Sequence, residues 1–278
     1  MTTRLAAVIG SPVAHSLSPA IHRAAFEAAG IDWTYVAFDV PDGRAAEALA
    51  SMRLFGIGGL SVTMPHKEAV ARAVDDLDPP ARSLDSVNTV SWDGDRLVGS
   101  STDGAGFVAS LAEAGVDVEG ARVAIIGAGG AARSVIDALA RAGSPDITVL
   151  NRSHDRAESA AALATAASVG IMSDIGRADI VVNATSVGMG VDPTVATDAD
   201  LPCDPGLLHD GQVVADLIYH PLETAWLTRA AEQGATTVDG LGMLVHQAAL
   251  QQRIWLGDDA VVDTSAMRRA AEAALALR

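Results

Sequence analysis

A glycine-rich turn between a short apolar strand and a helix constrains the fold of this chain more than any other feature. The apolar run Val123–Ile126 leads directly into Gly127-Ala128-Gly129-Gly130-Ala131-Ala132, which has the pattern G-x-G-x-x-A. Gly127 permits a tight turn, Gly129 lets the backbone approach a pyrophosphate, and Ala132 is small enough for close helix–strand packing. The amides at the start of the helix add a positive dipole. A glycine turn can also merely join a strand to a helix, but the flanking strands and helix favour dinucleotide binding.

The residues that follow the next strand, Ile147–Leu150, indicate which dinucleotide binds. An acidic residue at this point usually binds the ribose 2′-hydroxyl of NAD, whereas an arginine accommodates the 2′-phosphate of NADP. Here the strand is followed by Asn151, Arg152 and Ser153, and then by Arg156. Guanidinium groups are always charged and can bind phosphate bidentately. The two arginines could instead be ordinary exposed cations at a helix start, but the pattern favours NADP.

Short apolar runs alternate with helical stretches along the whole chain, which is the pattern of an α/β protein with mainly parallel sheets. The rhythm becomes more regular after Thr102, so we predict a domain boundary there. A long alanine-rich helix is predicted over Arg156–Ala167. The main predicted strands are Leu5–Ile9, Thr34–Val40, Gly59–Val62, Val123–Ile126, Ile147–Leu150, Ile180–Asn183 and Val213–Leu217, with a hairpin formed by Thr89–Ser91 and Leu97–Ser100.

Composition limits the classes of partner. The hydrophobic fraction of 49% supports real cores, and the net charge of −16 disfavours nucleic acid, which needs a basic surface. Local cations or amides can still hold an anionic ligand. Cys203 is the single cysteine, so no internal disulfide forms and a reducing compartment fits. The scattered histidines match no metal-ligand spacing. The chain has neither a signal-peptide pattern nor an apolar run that could span a membrane, so we expect a cytoplasmic protein.

Several segments of the first half combine small hydroxyls with acid–base groups. Ser16 and Ser18 stand at a predicted helix start, where free amides help to bind a carboxylate, although serines there are commonly plain caps. Thr63 and Lys67 follow a predicted strand, at the end where open α/β sheets bind ligands. A lysine considered alone would be a surface charge. Further amide, hydroxyl and carboxyl groups stand in Val87-Asn88-Thr89 and Ser101-Thr102-Asp103.

Nine sequence signatures together resemble one known family. In order, they are HSLSP with His22, SVTMPHK, VNT, STDGAGF, GAGGAAR, NRS, NATSVGM, DLIYHPLET and GLGMLVHQA. They resemble the shikimate dehydrogenase family over nearly the whole chain, and nine ordered signatures are far more specific than any one of them. The resemblance implies an N-terminal α/β substrate domain at residues 1–102, completed by 240–278. It also implies a Rossmann-like NADP-binding domain at residues 103–239.

The resemblance further implies a function and a set of site residues. The implied reaction is the reversible, NADP-dependent reduction of 3-dehydroshikimate to shikimate in the chorismate pathway to the aromatic amino acids. Lys67 and Asp103 match the catalytic pair, and Ser16 and Ser18 would hold the substrate carboxylate. The other residues implied around the substrate are Thr63, Asn88, Tyr219 and Gln247. Those implied around the cofactor are Gly127, Ala128, Gly129, Gly130, Ala131, Asn151, Arg152, Ser153, Arg156, Thr185, Leu217, Gly240 and Met243.

The implied catalytic pair suits this reaction. Reduction of a ketone builds negative charge on oxygen, where a lysine ammonium can donate a proton, and the neutral amine accepts that proton in the oxidative direction. Asp103 can orient Lys67 and accept a hydrogen bond from a substrate hydroxyl. His66, the neighbour of Lys67, could relay protons or could be structural. We expect a small-molecule substrate, no nucleic-acid or membrane partner, and a monomer or homodimer.

Five residues depart from the family's usual pattern: Arg23, Ser61, Asp85, Ser86 and Ser101. Serine in place of asparagine, as at Ser61 and Ser101, has a shorter reach and lacks the amide's N–H donors, which could change the substrate hydroxyl that is satisfied. A paralogue that acts on quinate or an aminoshikimate is therefore the main alternative. An NADP-binding regulatory protein without catalysis is a second alternative, and the presence of Lys67 and Asp103 argues against it.

Overall fold

The structure, a computed structural model, describes residues 3–277 and divides into two compact units. One unit comprises the described residues up to Thr102 and those from Val245 onward, and the other is Asp103–Leu244. The second division point lies inside the helix Gly240–Leu256. One unit is therefore continuous in sequence, whereas the other is assembled from both ends of the chain. Among the described residues, the helices are too short or too polar to cross a membrane.

The first unit is built on a mixed six-stranded sheet in the order β2-β1-β3-β5-β6-β4. Strand β1 runs parallel to β2 and β3, whereas β5 is antiparallel to both β3 and β6. The ends of β1, β3 and β6 and the start of β5 consequently share one edge of the sheet. The strands are β1 (Arg4–Gly10), β2 (Trp33–Asp39), β3 (Gly59–Val62), β4 (Asp76–Leu77), β5 (Thr89–Asp93) and β6 (Arg96–Ser100). The helices before the division are α1 (Ser18–Ala28), α2 (Ala45–Phe55), α3 (Lys67–Ala71) and α4 (Pro79–Leu84).

The second unit contains a fully parallel sheet in the order β12-β11-β10-β7-β8-β9. Counted within the unit, this is the order 6-5-4-1-2-3 of dinucleotide-binding sheets, whose ligands bind where the strand order reverses, between β7 and β10. The predicted α/β class with a Rossmann-like domain is confirmed. The strands are β7 (Arg122–Ile126), β8 (Asp146–Leu150), β9 (Ala167–Val169), β10 (Ile180–Asn183), β11 (Val213–Asp216) and β12 (Thr236–Val238). The helices are α5 (Asp103–Glu113), α6 (Gly130–Arg141), α7 (His154–Ala161) and α8 (Ala225–Glu232).

The chain ends in two helices, α9 (Gly240–Leu256) and α10 (Thr264–Leu275). Helix α10 packs against α1, and Trp255 at the end of α9 donates its indole N–H to the carbonyl oxygen of Val90 at 3.1 Å. Gly59 of β3 lies under the same indole, since a Cβ there would fall 2.4 Å from a ring atom. The terminal helices thus complete the core of the first unit.

The parallel sheet is buried on both faces, which explains why its strands read as continuous apolar runs. Val123 and Ile125 face one core together with Leu139 of α6. Their neighbours Ala124 and Ile126 face the opposite core, which contains Trp226. This two-residue alternation is the ordinary geometry of a strand.

Some predicted elements need correction. The helix predicted over Arg156–Ala167 ends at Ala161, because the backbone of Ala167–Val169 pairs with β8 and forms strand β9. Alanine favours a helix locally, but pairing with the sheet decides the outcome here. Four elements were not predicted: β4, α4, α8 and β12. Helix α4 does carry a start signal, since Asp78 accepts a hydrogen bond from the Ala81 amide at 2.7 Å and Pro79 follows Asp78.

Candidate active site

Polar side chains gather at the edge of the first sheet where β3 and β6 end and β5 begins. Asn88 precedes β5 and is 3% exposed. Its amide nitrogen donates to Thr102 Oγ1 at 2.9 Å and to Gln247 Oε1 at 3.4 Å. The Thr102 hydroxyl also contacts the carbonyl oxygen of Gln247 at 3.2 Å. Two of the expected substrate residues, Asn88 and Gln247, are therefore in contact although they lie far apart in sequence, and Thr63 follows β3 at the same edge.

The predicted carboxylate site stands at the start of α1. The helix begins at Ser18, its N-cap residue is Leu17, and no side chain caps it at that position. Ser16 Oγ accepts a hydrogen bond from the Ser18 amide at 3.2 Å, so this serine fixes the turn before the helix while its hydroxyl hydrogen can point elsewhere. Both serines are partly exposed. The arrangement suits an anionic group held by hydroxyls at a helix start.

A buried chain of hydrogen bonds lies behind this edge, and sequence reasoning missed it. Tyr35 donates to Ser61 Oγ at 2.7 Å, and Ser61 donates to Gln251 Oε1 at 2.7 Å. The single hydroxyl hydrogen of Ser61 is thus used internally, and the residue is only 5% exposed. These bonds place Ser61 in the core of the first unit and argue against a direct contact with the substrate, so the expected effect of Ser61 on substrate recognition stays a prediction. The available signal was Gln251 itself, a second amide one turn after Gln247 on the same apolar helix.

His22 completes this buried chain. Its Nε2 lies 3.2 Å from Gln251 Oε1, its Nδ1 lies 3.2 Å from Gln252 Nε2, and its ring stacks on Tyr35 at a centroid distance of 4.3 Å. Burial lowers the pKa of His22 to about 3, which the hydrogen bond to Gln251 opposes only in part. Two amides and one aromatic ring therefore hold a neutral imidazole.

Lys67 opens helix α3 just beyond the carboxyl end of β3 and is partly buried. Lys67 is the only lysine in the chain, so the other 18 of its 19 lysines and arginines are arginines. The chain therefore has one side-chain amine, at Lys67, and lysine differs from arginine in that amines serve as general acids and bases in proteins. The neighbouring His66 is fully buried with Nε2 on the carbonyl oxygen of Val40 at 2.7 Å, which supports the structural reading of that histidine.

The glycine turn after β7 has the geometry that a dinucleotide needs. Gly127 has a φ of +121°, and a Cβ there would lie 2.9 Å from the carbonyl oxygen of Ala184, so only glycine fits. A Cβ at Gly129 or Gly130 would meet nothing within 4 Å, which leaves this side of the turn open. Gly129 is the N-cap of α6 and provides no side-chain cap, so amides of the first turn remain for a phosphate. Ala132 is fully buried, as close packing requires.

Arg152 and Arg156 lie at the start of α7, and both are exposed. Asn151 shapes the turn before the helix by donating to the carbonyl oxygen of Ser153 at 2.9 Å. Within residues 3–277, neither arginine forms an ion pair with an acid. By contrast, Arg122 of the same sheet is bound bidentately by Asp179. Two unpaired guanidinium groups in a chain of net charge −16 suit a 2′-phosphate.

Three of the residues expected around the cofactor, Thr185, Leu217 and Gly240, lie where β10 and β11 end. The Leu217 amide donates to the carbonyl oxygen of Asn183 at 3.0 Å. A Cβ at Gly240 would lie 2.5 Å from the Leu217 carbonyl, so glycine is required for this approach. Thr185 folds back onto Asn183 through its hydroxyl at 2.7 Å. Met243 packs against the main core of the second unit.

The expected catalytic pair is divided between the two units. Lys67 belongs to the first unit, whereas Asp103, the first residue of α5, belongs to the second. Tyr219 also belongs to the second unit, in the segment after β11. Their convergence on one substrate stays a prediction. The structure does bring together Asn88 with Gln247, and Thr185 and Gly240 with the ends of β10 and β11.

Family models match three parts of the chain. The model for the shikimate dehydrogenase substrate binding domain matches residues 8–90. The model for shikimate / quinate 5-dehydrogenase matches residues 110–191, and that for the shikimate 5′-dehydrogenase C-terminal domain matches residues 240–272. The matches fall in the order of the sequence signatures.

Individual relatives span nearly the whole chain. Shikimate dehydrogenase (NADP(+)) of Symbiobacterium thermophilum is 44% identical over 284 residues, which cover 98% of this chain and 95% of the relative. The solved structure of shikimate 5-dehydrogenase from Thermus thermophilus with NADP(H) and shikimate has a TM-score of 0.88 and 36% identity, covering 98% and 99% of the two chains. Ligand-free 5-ketofructose reductase of Gluconobacter sp. strain CHM43 has a TM-score of 0.90 and 37% identity, again covering 98% and 99%.

Proposed function

This chain belongs to the shikimate dehydrogenase family, and from that premise we propose that it catalyses the reversible, NADP-dependent reduction of 3-dehydroshikimate to shikimate. The observation that carries the proposal is Lys67, the one amine among many guanidinium groups, which stands in the family's SVTMPHK signature at the end of β3. A general acid must release a proton, and arginine does not do so in proteins.

In this proposal the first unit binds the substrate. The hydroxyls of Ser16 and Ser18 and the first amides of α1 hold the carboxylate. The ring hydroxyls face Thr63 and the Asn88–Gln247 pair, whose mutual hydrogen bond fixes both amides. Tyr219 of the second unit contributes a further contact. The proposed substrate and catalytic domain is residues 1–102 with 240–278, and the proposed cofactor domain is residues 103–239. The compact units of the structure divide slightly later, between Leu244 and Val245.

Proton transfer falls to Lys67. Its ammonium group donates to the carbonyl oxygen as negative charge develops there, and in the oxidative direction the neutral amine accepts the proton of the hydroxyl. Asp103 accepts a hydrogen bond from a neighbouring substrate hydroxyl and orients the amine. When bound, NADPH supplies the hydride, and the protein supplies alignment and electrostatics.

The cofactor is held by the glycine turn and by the two exposed arginines. The open side of Gly129 and Gly130 and the uncapped start of α6 accept the pyrophosphate, while Arg152 and Arg156 bind the 2′-phosphate. Thr185, Leu217, Gly240 and Met243 complete the site near the ends of β10 and β11. We propose that the protein acts in the cytoplasm. We further propose that it is a monomer or a homodimer, and size-exclusion chromatography with light scattering would distinguish the two states.

A panel of substrates tests the reaction. Purified protein is assayed for NADPH formation with shikimate and with quinate, and for NADPH consumption with 3-dehydroshikimate and 5-ketofructose, the last because of the similarity to 5-ketofructose reductase. We expect the highest kcat/KM with the shikimate pair. A preference for quinate would identify the paralogue instead, and tight NADP binding without any turnover would indicate a regulatory protein.

The role of Lys67 is tested by Lys67→Arg, which keeps the charge and removes the dissociable proton. We expect kcat to fall by about two to four orders of magnitude while the Kd for NADP is unchanged. Arg72→Lys, at the end of the same helix, is the matched control and keeps wild-type kcat. Because the chain has one lysine, reductive methylation with ¹³C labels a single side chain, whose titration by NMR then reports the pKa of Lys67. Near-normal turnover in Lys67→Arg would remove the proposed role.

The choice of cofactor is tested by Arg152→Ala combined with Arg156→Ala. Loss of two charged contacts to phosphate should raise the KM for NADP+ by about one to two orders of magnitude and leave the KM for NAD+ almost unchanged. Arg177→Ala is the control, because that arginine is exposed in the same unit but is paired with Asp174. Equal effects on the two cofactors would contradict the assignment.

A further inference from the structure

Two buried polar residues join the ends of neighbouring strands in the second unit. Asn183 is the last residue of β10, Asp216 is the last residue of β11, and the two are register partners. They are 0% and 1% exposed, and Asn183 Nδ2 donates to Asp216 Oδ1 at 3.0 Å. The pair lies at the carboxyl edge of the sheet, where open α/β sheets bind their ligands.

Each member of the pair also holds the loop that follows its own strand. Asn183 Oδ1 accepts from the amide of Thr185 at 3.0 Å and from its hydroxyl at 2.7 Å, and Asn183 Nδ2 reaches the carbonyl oxygen of Val187 at 3.3 Å. Asp216 Oδ1 accepts from the Ile218 amide at 3.1 Å, and Asp216 Oδ2 accepts from Thr224 Oγ1 at 2.9 Å. We call the two segments the 183–190 loop and the 216–224 loop.

Further backbone bonds join the same two loops. Gly190 donates its amide to the carbonyl oxygen of His220 at 2.9 Å, and Leu217 donates to that of Asn183 at 3.0 Å. In the proposed function, Thr185 on the 183–190 loop contacts the cofactor, whereas Tyr219 on the 216–224 loop contacts the substrate. The amide–carboxyl pair therefore lies between two loops with different ligands.

Burial of the Asp216 carboxyl costs free energy of folding. Among the described residues it forms no ion pair, and only three neutral donors satisfy it. Burial raises the pKa of its carboxyl to about 6, although the hydrogen bonds from Ile218, Thr224 and Asn183 oppose the rise. A carboxyl buried without a cation stabilises a fold poorly. Its geometric contribution is specific, since one planar group fixes two loops and the start of α8, whose N-cap is Thr224.

We propose that Asn183 and Asp216 form a positioning pair that couples the 183–190 loop, on the cofactor side, to the 216–224 loop, on the substrate side. This inference rests on the proposed function for the ligand of each loop. Its consequence is a crossed effect. Damage at Asn183 should weaken substrate use through Tyr219, and damage at Asp216 should weaken NADP binding through Thr185. An anchor that served only its own loop would affect one ligand alone.

The test compares Asn183→Ala and Asp216→Ala, singly and combined, in the full-length protein. We expect each single variant to raise the KM for shikimate and the Kd for NADP+ by about tenfold, the size of one lost hydrogen bond to a charged group. The double variant should be little worse than either single one, because both remove the same coupling. Asp216→Asn provides a rescue, because its oxygen still accepts from Asn183 and Ile218 while its amide donates to Thr224 Oγ1.

A matched control stands at the other end of the same strand. Gln212 precedes β11, is 1% exposed, and donates to the carbonyl oxygens of Ile175 at 2.9 Å and Ala178 at 2.8 Å. Gln212→Ala removes a comparable buried amide and lowers the midpoint of thermal unfolding, but it should leave the KM for shikimate and the Kd for NADP+ unchanged.

The possible outcomes separate this inference from the proposed function. Failure of the wild-type protein to turn over shikimate would overturn the proposed function, and the NADP+ titrations would still report whether Asp216→Ala acts on the other loop. Effects confined to the ligand of the mutated loop, or additive effects in the double variant, would overturn the coupling. So would equal losses of affinity in Gln212→Ala.

Discussion

The buried imidazole of His22 leads to a quantitative prediction about acid stability. Its folded-state pKa of about 3 lies below the ordinary value of 6.5. Between about pH 3 and pH 6.5, the unfolded chain therefore binds a proton at His22 that the folded chain does not bind. Stability from this group is present above pH 6.5 and is lost progressively as the pH falls toward 3. Protonation would also place a hydrogen on Nδ1 against the amide of Gln252, which already donates there.

The magnitude follows from the distance between the working pH and the unfolded pKa. At about pH 5 the pH lies about 1.5 units below the pKa of the histidine in the unfolded chain. This difference corresponds to a loss of about 2 kcal/mol in the free energy of unfolding. The folded-state pKa hardly enters this figure, since it lies well below pH 5. The loss belongs to the first unit, where His22 links α1 to α9 through Gln251 and Gln252.

The assay compares wild-type protein with His22→Gln, which has no titrating ring. Urea unfolding is carried out at about pH 7.5 and at about pH 5. Hydrogen exchange of the α1 amides is used as the probe, so that the first unit is observed by itself. We expect the wild type to lose about 2 kcal/mol more than the variant between the two conditions. All other titrating groups are common to both proteins and cancel. An identical pH dependence in the two proteins would refute a buried, neutral His22.

Three further predictions concern stability in the second unit. The pKa of Asp216 is raised to about 6, so the stability it contributes is present below pH 3.8 and is lost as the pH rises through 6. Asp216→Asn should therefore gain up to about 3 kcal/mol over wild type at about pH 8, but less than about 1 kcal/mol at about pH 4, in urea titrations. Gly104→Ala places a Cβ 2.0 Å from the carbonyl oxygen of Ser134 on α6, so thermal unfolding should show a loss of roughly 1–3 kcal/mol or more. Leu139→Ala empties a fully buried position and should cost about 2–5 kcal/mol by urea unfolding, whereas no loss would mean that the core collapses around the change.

The parts of the fold that could be predicted are those with local signals. The apolar run of β7, the glycine turn and the start of α6 are contiguous, and the structure retains all three. Strand β9 shows the limit, because the alanine-rich sequence at 160–167 favours a helix and only pairing with β8 makes Ala167–Val169 extended. Two-residue strands such as β4 are too short to show any period.

The candidate site was predictable to the extent that its residues belong to signatures. Asn88 and Gln247 are in contact, but their role toward the substrate, like the pairing of Lys67 with Asp103, stays a prediction. The bond between Ser61 and Gln251 spans 190 residues of sequence, and no local pattern could connect them. Composition alone also singles out Lys67, because it is the single lysine among the basic residues.

The discontinuous first unit also determines the order in which the newly made protein can fold. During synthesis its sheet emerges early, but Gln251 and Trp255, which cover it, follow only after the whole continuous unit Asp103–Leu244. At ordinary translation rates this delay is about ten seconds. For that time Tyr35, Ser61 and Gly59 lack their cover, so the nascent chain exposes an unfinished surface that a chaperone could recognise, while the Rossmann-like unit can close first.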